Sequence, residues 1–282
     1  MKHSKIATYV ECAIMIALGT VLSMLPLVEM PYGGSITVAS MLPLVILSYR
    51  NGTKYGLISG ALYAVLQLLL GLKNLSYVTT WYSVLAVIFL DYIIAFTLIG
   101  GAGIVRRFVK GGANALFLGS LLCSVLRYIS HVIAGATVWA GISIPTGATL
   151  VYSIGYNATY MLPETIILTL CAFYIGNTVD FSTKTPTRVV KKSASSTKTF
   201  VFGALSGFSL LVGLVTDVCL IFPKFQMPDG SFSFAAIGSV SWLAVAIVSG
   251  VSLLLFALFV ALYIYQDRSE QKQDASLSGT QN

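Results

Sequence analysis

The sequence predicts an all-α, polytopic membrane protein: a six-helix bundle followed by two additional transmembrane helices. Of its 282 residues, 56% are hydrophobic and only 10% are charged. The charged residues fall in narrow bands between long apolar runs. Crossing a hydrocarbon core of about 30 Å takes roughly 20 apolar residues per helix, and the runs supply eight candidate segments, at approximately 7–28, 37–49, 55–72, 81–104, 113–140, 150–177, 199–222 and 236–265. The basic residues also alternate by side. With a cytoplasmic N-terminus, Lys2, Lys5, Arg50, Lys54, Arg106, Arg107, Lys110, Lys184, Arg188, Lys191, Lys192, Lys198, Arg268 and Lys272 fall inside, only Lys73 and Lys224 fall outside, and Arg127 stays in the membrane. This is the asymmetry of the positive-inside rule, and it puts both termini in the cytoplasm. The net charge of +7 is therefore a topology signal, not a nucleic-acid footprint.

The elements follow in order. Lys2 and Lys5 before an apolar run could mark a signal peptide, but the run is long and continues the alternating topology, so it reads as a retained first helix. On it Ala13 and Ala17, four apart, form a small-residue ridge that admits a close neighbour. The loop at 29–36, with Gly33 and Gly34, has the backbone freedom to fold over an outward-facing pocket. Pro43 should kink or break the second segment. Gly56 and Gly60 make a close-packing ridge on the third. Trp81 and Tyr82 open the fourth at interfacial depth, and Asp91, a lone carboxylate, interrupts its apolar run.

Domain boundaries follow composition. Residues 1–180 form a six-helix membrane domain, 181–198 a basic Ser/Thr/Lys-rich cytoplasmic linker, 199–265 a two-helix extension, and 266–282 a polar, disordered tail. Cys12, Cys123, Cys171 and Cys219 all lie in apolar segments without CxxC spacing or paired histidines, so they read as small buried hydrophobes, and no metal site or cofactor is expected.

The chemistry gathers around 127–157. Arg127, His131, Gly135 and Trp139 recur at intervals of four, one helical face, and Tyr152 and Asn157 follow across a short loop. Ionisable groups at membrane depth are costly and face a cavity or a partner. With Trp81, Asp91 and Tyr92 they offer one anion among several rings, a set suited to a small organic cation. A purely structural alternative is that Arg127 neutralises Asp91. Pro163 and Glu164 mark a bend and one more intramembrane acid, to which no role is assigned.

The combination Pro31-Tyr32-Gly33-Gly34, Leu90-Asp91-Tyr92, Arg127-Tyr128-x-x-His131, Ala134-Gly135, Trp139 and Tyr152-Ser153-x-x-x-Asn157 resembles the thiamine-specific substrate-binding subunit of energy-coupling-factor (ECF) vitamin transporters, over roughly residues 5–180. The resemblance implies that Asp91, where the family more often has Glu, meets the cationic ring of thiamine. It implies ligand contacts for Tyr92, His131, Trp139, Tyr152 and Asn157, and for Trp81 where the family can have Tyr. A Trp of the family's first outer loop is replaced here by the Gly33–Gly34 region. The resemblance further implies that Ala13 and Ala17 dock on a transmembrane coupling subunit served by two ATPase subunits. The last two helices depart from the family pattern. The chain has no GxxxxGK[ST] phosphate loop, so any ATP hydrolysis belongs to partners. It also lacks HExxH and GxSxG, so it is not expected to be an enzyme. The competing reading is a self-sufficient secondary transporter for a small cationic or aromatic solute, coupled to ions through Asp91, Arg127 and Glu164; the inverted repeats that would favour it are not found.

Overall fold

The structure, a computed structural model, describes residues 5–30, 32–109, 111–140, 142, 149–183, 185–189, 197–225 and 234–279. Among these, the helices are α1 (Lys5–Ser23), α2 (Leu42–Asn51), α3 (Thr53–Leu70), α4 (Trp81–Arg107), α5 (Gly112–Thr137), α6 (Thr149–Thr178), α7 (Thr197–Phe225) and α8 (Trp242–Gly279). Two short antiparallel ribbons accompany them, β1 (Pro26–Glu29) with β2 (Ser35–Thr37), and β3 (Val179–Asp180) with β4 (Thr187–Arg188). All helices but α2 are long and apolar enough to cross a membrane, and their outer faces carry large exposed aliphatic side chains. The chain is a multi-pass membrane protein.

The second expected span, 37–49, takes a different form. Thr37 ends β2, Ala39 turns the chain at φ 53°, and the helix begins only at Leu42. Pro43 lies in the first turn of α2, where a missing N–H costs nothing, so it starts the helix and does not kink it. Ten residues reach about 15 Å, half of a hydrocarbon core, and the irregular chain before the helix is buried at Ala39, Ser40 and Met41. Pro43 through Tyr49 are all buried. A short helix that is apolar all round belongs at the centre of a bundle, and α1, α3 and α4 pack around this one.

Close backbone approach joins α3 to α4. A Cβ on Gly56 would strike the Gly100 carbonyl, one on Gly100 would strike the Gly56 carbonyl, and one on Gly60 would lie 2.8 Å from the Thr97 carbonyl. Ser48 of α2 inserts into the same seam: its hydroxyl donates to the Gly100 carbonyl at 2.5 Å and accepts the Gly103 N–H at 2.9 Å. A side chain entering the hydrogen-bond ladder deforms a helix, and α4, non-uniform along its length, is 3₁₀-helical where it receives Ser48. It runs as α-helix over Trp81–Val87, π-helix over Ile88–Ile94, and 3₁₀-helix over Leu98–Arg107. Pro163 sits inside an otherwise continuous α6.

The chain divides into two compact units, Met1–Arg188 with Phe225–Ile237, and Val189–Lys224 with Gly238–Asn282. In the second, α7 and α8 meet along a polar seam. Ser252 donates to the Ser209 carbonyl at 2.5 Å, Ser249 donates to Asp217 at 2.6 Å, and Gly213 leaves room for Ser252. In place of the disordered tail expected from residue 266, α8 continues to Gly279. Glu270, Gln271, Lys272, Gln273 and Ala275 all favour helix, and no Gly or Pro intervenes until Gly279. Pro31 and residues 190–196 of the expected linker lie outside the described residues.

Gly56→Ala and Gly100→Ala are each expected to destabilise the bundle by about 1–3 kcal/mol through overpacking, read as a lowered Tm in detergent. Gly101→Ala, whose added Cβ meets nothing within 4 Å, is the control expected to leave Tm unchanged.

Candidate functional site

A cavity of about 320 Å³ lies in the first unit, between the β1–β2 ribbon and helices α3, α4, α5 and α6. Asp91, on the π-helical stretch of α4, is its central acid. Its carboxylate is held at both oxygens: Oδ1 lies 2.8 Å from His131 Nδ1, and Oδ2 accepts the Trp139 indole N–H at 2.8 Å. The Leu90 carbonyl beside it accepts the Ser130 hydroxyl at 2.6 Å, so α5 supports the π turn directly. With Nδ1 facing Asp91, His131 Nε2 is left buried without a hydrogen-bond partner, as is Arg127 Nε. Unpartnered buried polar atoms are rare and costly. Both residues belong to the cavity lining.

Five of the sequence-predicted residues meet at this cavity, namely Asp91, Tyr92, His131, Trp139 and Asn157. Tyr92 is buried, its hydroxyl accepting from Asn74 at 3.0 Å and donating to the Gly71 carbonyl at 3.1 Å. Asn157 is committed to the protein at both ends of its carboxamide. Nδ2 donates to the Ser153 carbonyl at 2.9 Å and reaches the His131 carbonyl at 3.3 Å, while Oδ1 accepts the Tyr160 hydroxyl at 2.6 Å. It joins α6 to α5 at the level of the histidine.

Trp81 and Tyr152 are not among the residues lining the cavity. Trp81 is 75% exposed at the start of α4, edge-on to Tyr82, an arrangement suited to an interfacial anchor. Tyr152 lies beside the inward face of α6, which runs Ser153, Asn157, Tyr160, Glu164. That spacing of four, three and four is the signal in the sequence that points to Tyr160 and Glu164. Tyr156, four residues beyond Tyr152 and so on its helical face, also lines the cavity, as do Phe96 and Asn74, which carry no comparable signal.

Arg127 does not neutralise Asp91. Its Nη1 pairs with Glu164 Oε2 at 2.5 Å, its guanidinium carbon lies 4.8 Å from the centre of the Phe96 ring, and Glu164 Oε1 accepts the Thr37 hydroxyl at 2.8 Å. The unassigned acid of the sequence is thus the partner of the unassigned base. Among the described residues no group of side chains is arranged to hold a metal ion.

The tip of the β1–β2 ribbon closes one side. Gly33 and Gly34 have φ of 97° and 91°, the left-handed region that favours glycine. A Cβ on Gly33 would lie 2.7 Å from Asn74, and one on Gly34 would lie 2.8 Å from the Tyr160 ring. The Tyr156 hydroxyl donates to the Gly33 carbonyl at 3.3 Å. Tyr32, Tyr77 and Trp139 continue this contact as a chain of rings spaced 5.2 and 6.4 Å apart. The 143–148 loop lies outside the described residues.

Trp139 is buried, whereas Trp81 and Trp242 are exposed, and these are the chain's three tryptophans. In a Trp81→Phe/Trp242→Phe background, Gly34→Ala is expected to lift the ribbon tip from Tyr160 and shift Trp139 emission to the red as water enters. Unchanged emission would show that the tip tolerates the methyl group.

Comparison with known proteins agrees with this architecture. A family model described as thiamine transporter protein (Thia_YuaJ) matches residues 9–182. The thiamine transporter ThiT of Bacillus subtilis (strain 168) is 35% identical over 190 residues, an alignment covering 62% of this chain and 94% of that one. A solved structure of ThiT from Listeria monocytogenes superposes with a TM-score of 0.51 at 22% identity, covering 62% of this chain and 95% of that chain; at that identity the likeness speaks for the fold.

Proposed function

Because the chain belongs to the thiamine transporter family, as the match over residues 9–182 shows, we propose that its cavity captures thiamine from outside the cell as the substrate-binding subunit of an ECF-type importer. The observation that carries this reading is Asp91, a carboxylate at membrane depth held by His131 and Trp139 in a cavity walled with aromatic rings. Thiamine combines a permanently cationic thiazolium with a planar aminopyrimidine. Asp91 meets the cation, and Trp139 and Tyr92 supply ring faces, each desolvated cation–ring contact contributing up to about 2 kcal/mol. His131 orients the acid towards the ligand through its Nδ1 contact. Asn157 acts by holding α5 and α6 at the right separation. Trp81 and Tyr152 reach the ligand only if the outer end of the bundle closes further.

On this reading both termini face the cytoplasm, and release needs partners: a coupling membrane subunit and two ATPase subunits that hydrolyse ATP. Ala13 and Ala17 sit on the exposed side of α1, of which only Thr8, Ile16 and Gly19 are buried. A small-residue ridge there suits the close approach of a coupling-subunit helix. The two-helix extension stands apart from binding, so residues 1–192 alone are expected to bind thiamine with full affinity.

The test is titration of the Trp81→Phe/Trp242→Phe protein with thiamine, followed by Trp139 fluorescence. Saturable quenching is expected, with affinity weakened about tenfold or more in Asp91→Asn, as for loss of one buried charge partner. Absence of saturable binding would sink the proposal. Ion-driven uptake by the purified chain alone in vesicles would establish the secondary-transporter alternative.

A further inference from the structure

The cavity holds a contradiction for a cation site. Arg127, a full positive charge, lines it one helical turn, about 5.4 Å, from His131 on α5. An uncompensated guanidinium at that distance would oppose a cationic ligand. Burial makes the opposition stronger, because charges in a medium of low effective dielectric are weakly screened. Glu164 resolves it. The carboxylate is 2% exposed and is therefore not solvated by water. Its two oxygens are divided between Arg127 and Thr37. The carboxylates of Asp91, whose side chain is 14% exposed, and of Glu164, set against the one guanidinium, leave one net negative charge among these three groups. The rim charges, Glu29 and Lys73, are exposed, opposite in sign and open to solvent screening.

We propose that Glu164 is a specificity-determining residue: by neutralising Arg127 from behind, it gives the cavity its preference for a cation, and through Thr37 it ties that charge balance to the ribbon that covers the cavity. Arg127 in turn earns its place by holding the Phe96 ring, 4.8 Å away, against the ligand space. Glu164 itself is not among the cavity-lining residues, so it acts through Arg127 and not by touching the ligand. The inference rests on the thiamine reading above and names a residue that reading does not use.

The experiment compares two ligands on the full-length purified protein: thiamine, and its neutral aminopyrimidine half, 4-amino-5-hydroxymethyl-2-methylpyrimidine. The quantity read is the ratio of their affinities. Glu164→Gln is expected to weaken thiamine on the order of tenfold or more, as one uncompensated charge several ångströms away would do at an effective dielectric of about 20. The neutral half should weaken far less, so the ratio falls. Arg127→Met, which removes the guanidinium that Glu164 offsets, is expected to leave the ratio at or above that of the unaltered protein. The double variant Arg127→Met/Glu164→Gln should bring the ratio back towards that of the unaltered protein. A purely structural role would weaken both ligands alike and leave the ratio unmoved, which would overturn the inference, as would a ratio in Arg127→Met that moves in the same direction as in Glu164→Gln. Failure of the unaltered protein to bind thiamine would instead remove the reading on which the inference stands.

Discussion

Hydrocarbon cannot solvate an ion, and this constraint organises the first unit. Inward-facing ionisable groups of this unit meet partners on elements distant in sequence. Glu11 of α1 pairs with Arg50 at the end of α2, Arg127 of α5 with Glu164 of α6, and Asp91 of α4 with His131 of α5. Such pairs contribute little net stability relative to apolar packing, yet removing one partner costs about 3–5 kcal/mol because the other is stranded. They therefore act as pins. Glu11–Arg50 fixes where α2 ends, Arg127–Glu164 fixes the α5–α6 spacing below the cavity, and Asp91–His131 sets the acid's orientation within it.

Between the pins the bundle is held by contact of backbone with backbone. The Gly56–Gly100 crossing and the Ser48 hydroxyl bring α2, α3 and α4 closer than side chains would allow. The part of α4 at this crossing is 3₁₀-helical, and the same helix carries Asp91. The 3₁₀ stretch that makes this crossing and the π stretch that carries Asp91 lie in one helix, separated by Ala95–Thr97.

Much of this was readable from residue order. The long spans announce themselves by apolar length, and Asp91, His131 and Trp139 stand out because charged and polar groups are rare at such depth. Other features depend on information a linear pattern does not contain. The 37–49 run is apolar enough to pass for a span, but apolarity does not say where a helix starts, and Thr37 belongs to the ribbon. Trp81 and Tyr152 have suitable chemistry, yet Trp81 sits at the exposed end of α4 and Tyr152 one position away from the inward face of α6. The pairing of Arg127 with Glu164 and not with Asp91 is decided by how α5 and α6 lie against each other. Nothing local to either residue expresses that choice.

The π-helical stretch Ile88–Ile94 closes its hydrogen bonds over five residues instead of four. Compared with an unbroken α-helix, it amounts to a single-residue insertion absorbed without breaking the chain. Since each residue of an α-helix turns the face by about 100°, the two halves of α4 run in different phases. The π stretch itself presents Asp91 to the cavity, and the part beyond it presents Gly100 to the backbone of α3. A change of one residue anywhere between them would preserve hydrophobicity and length, and every span would still be recognisable, while the acid and the glycine could no longer face their respective partners at once.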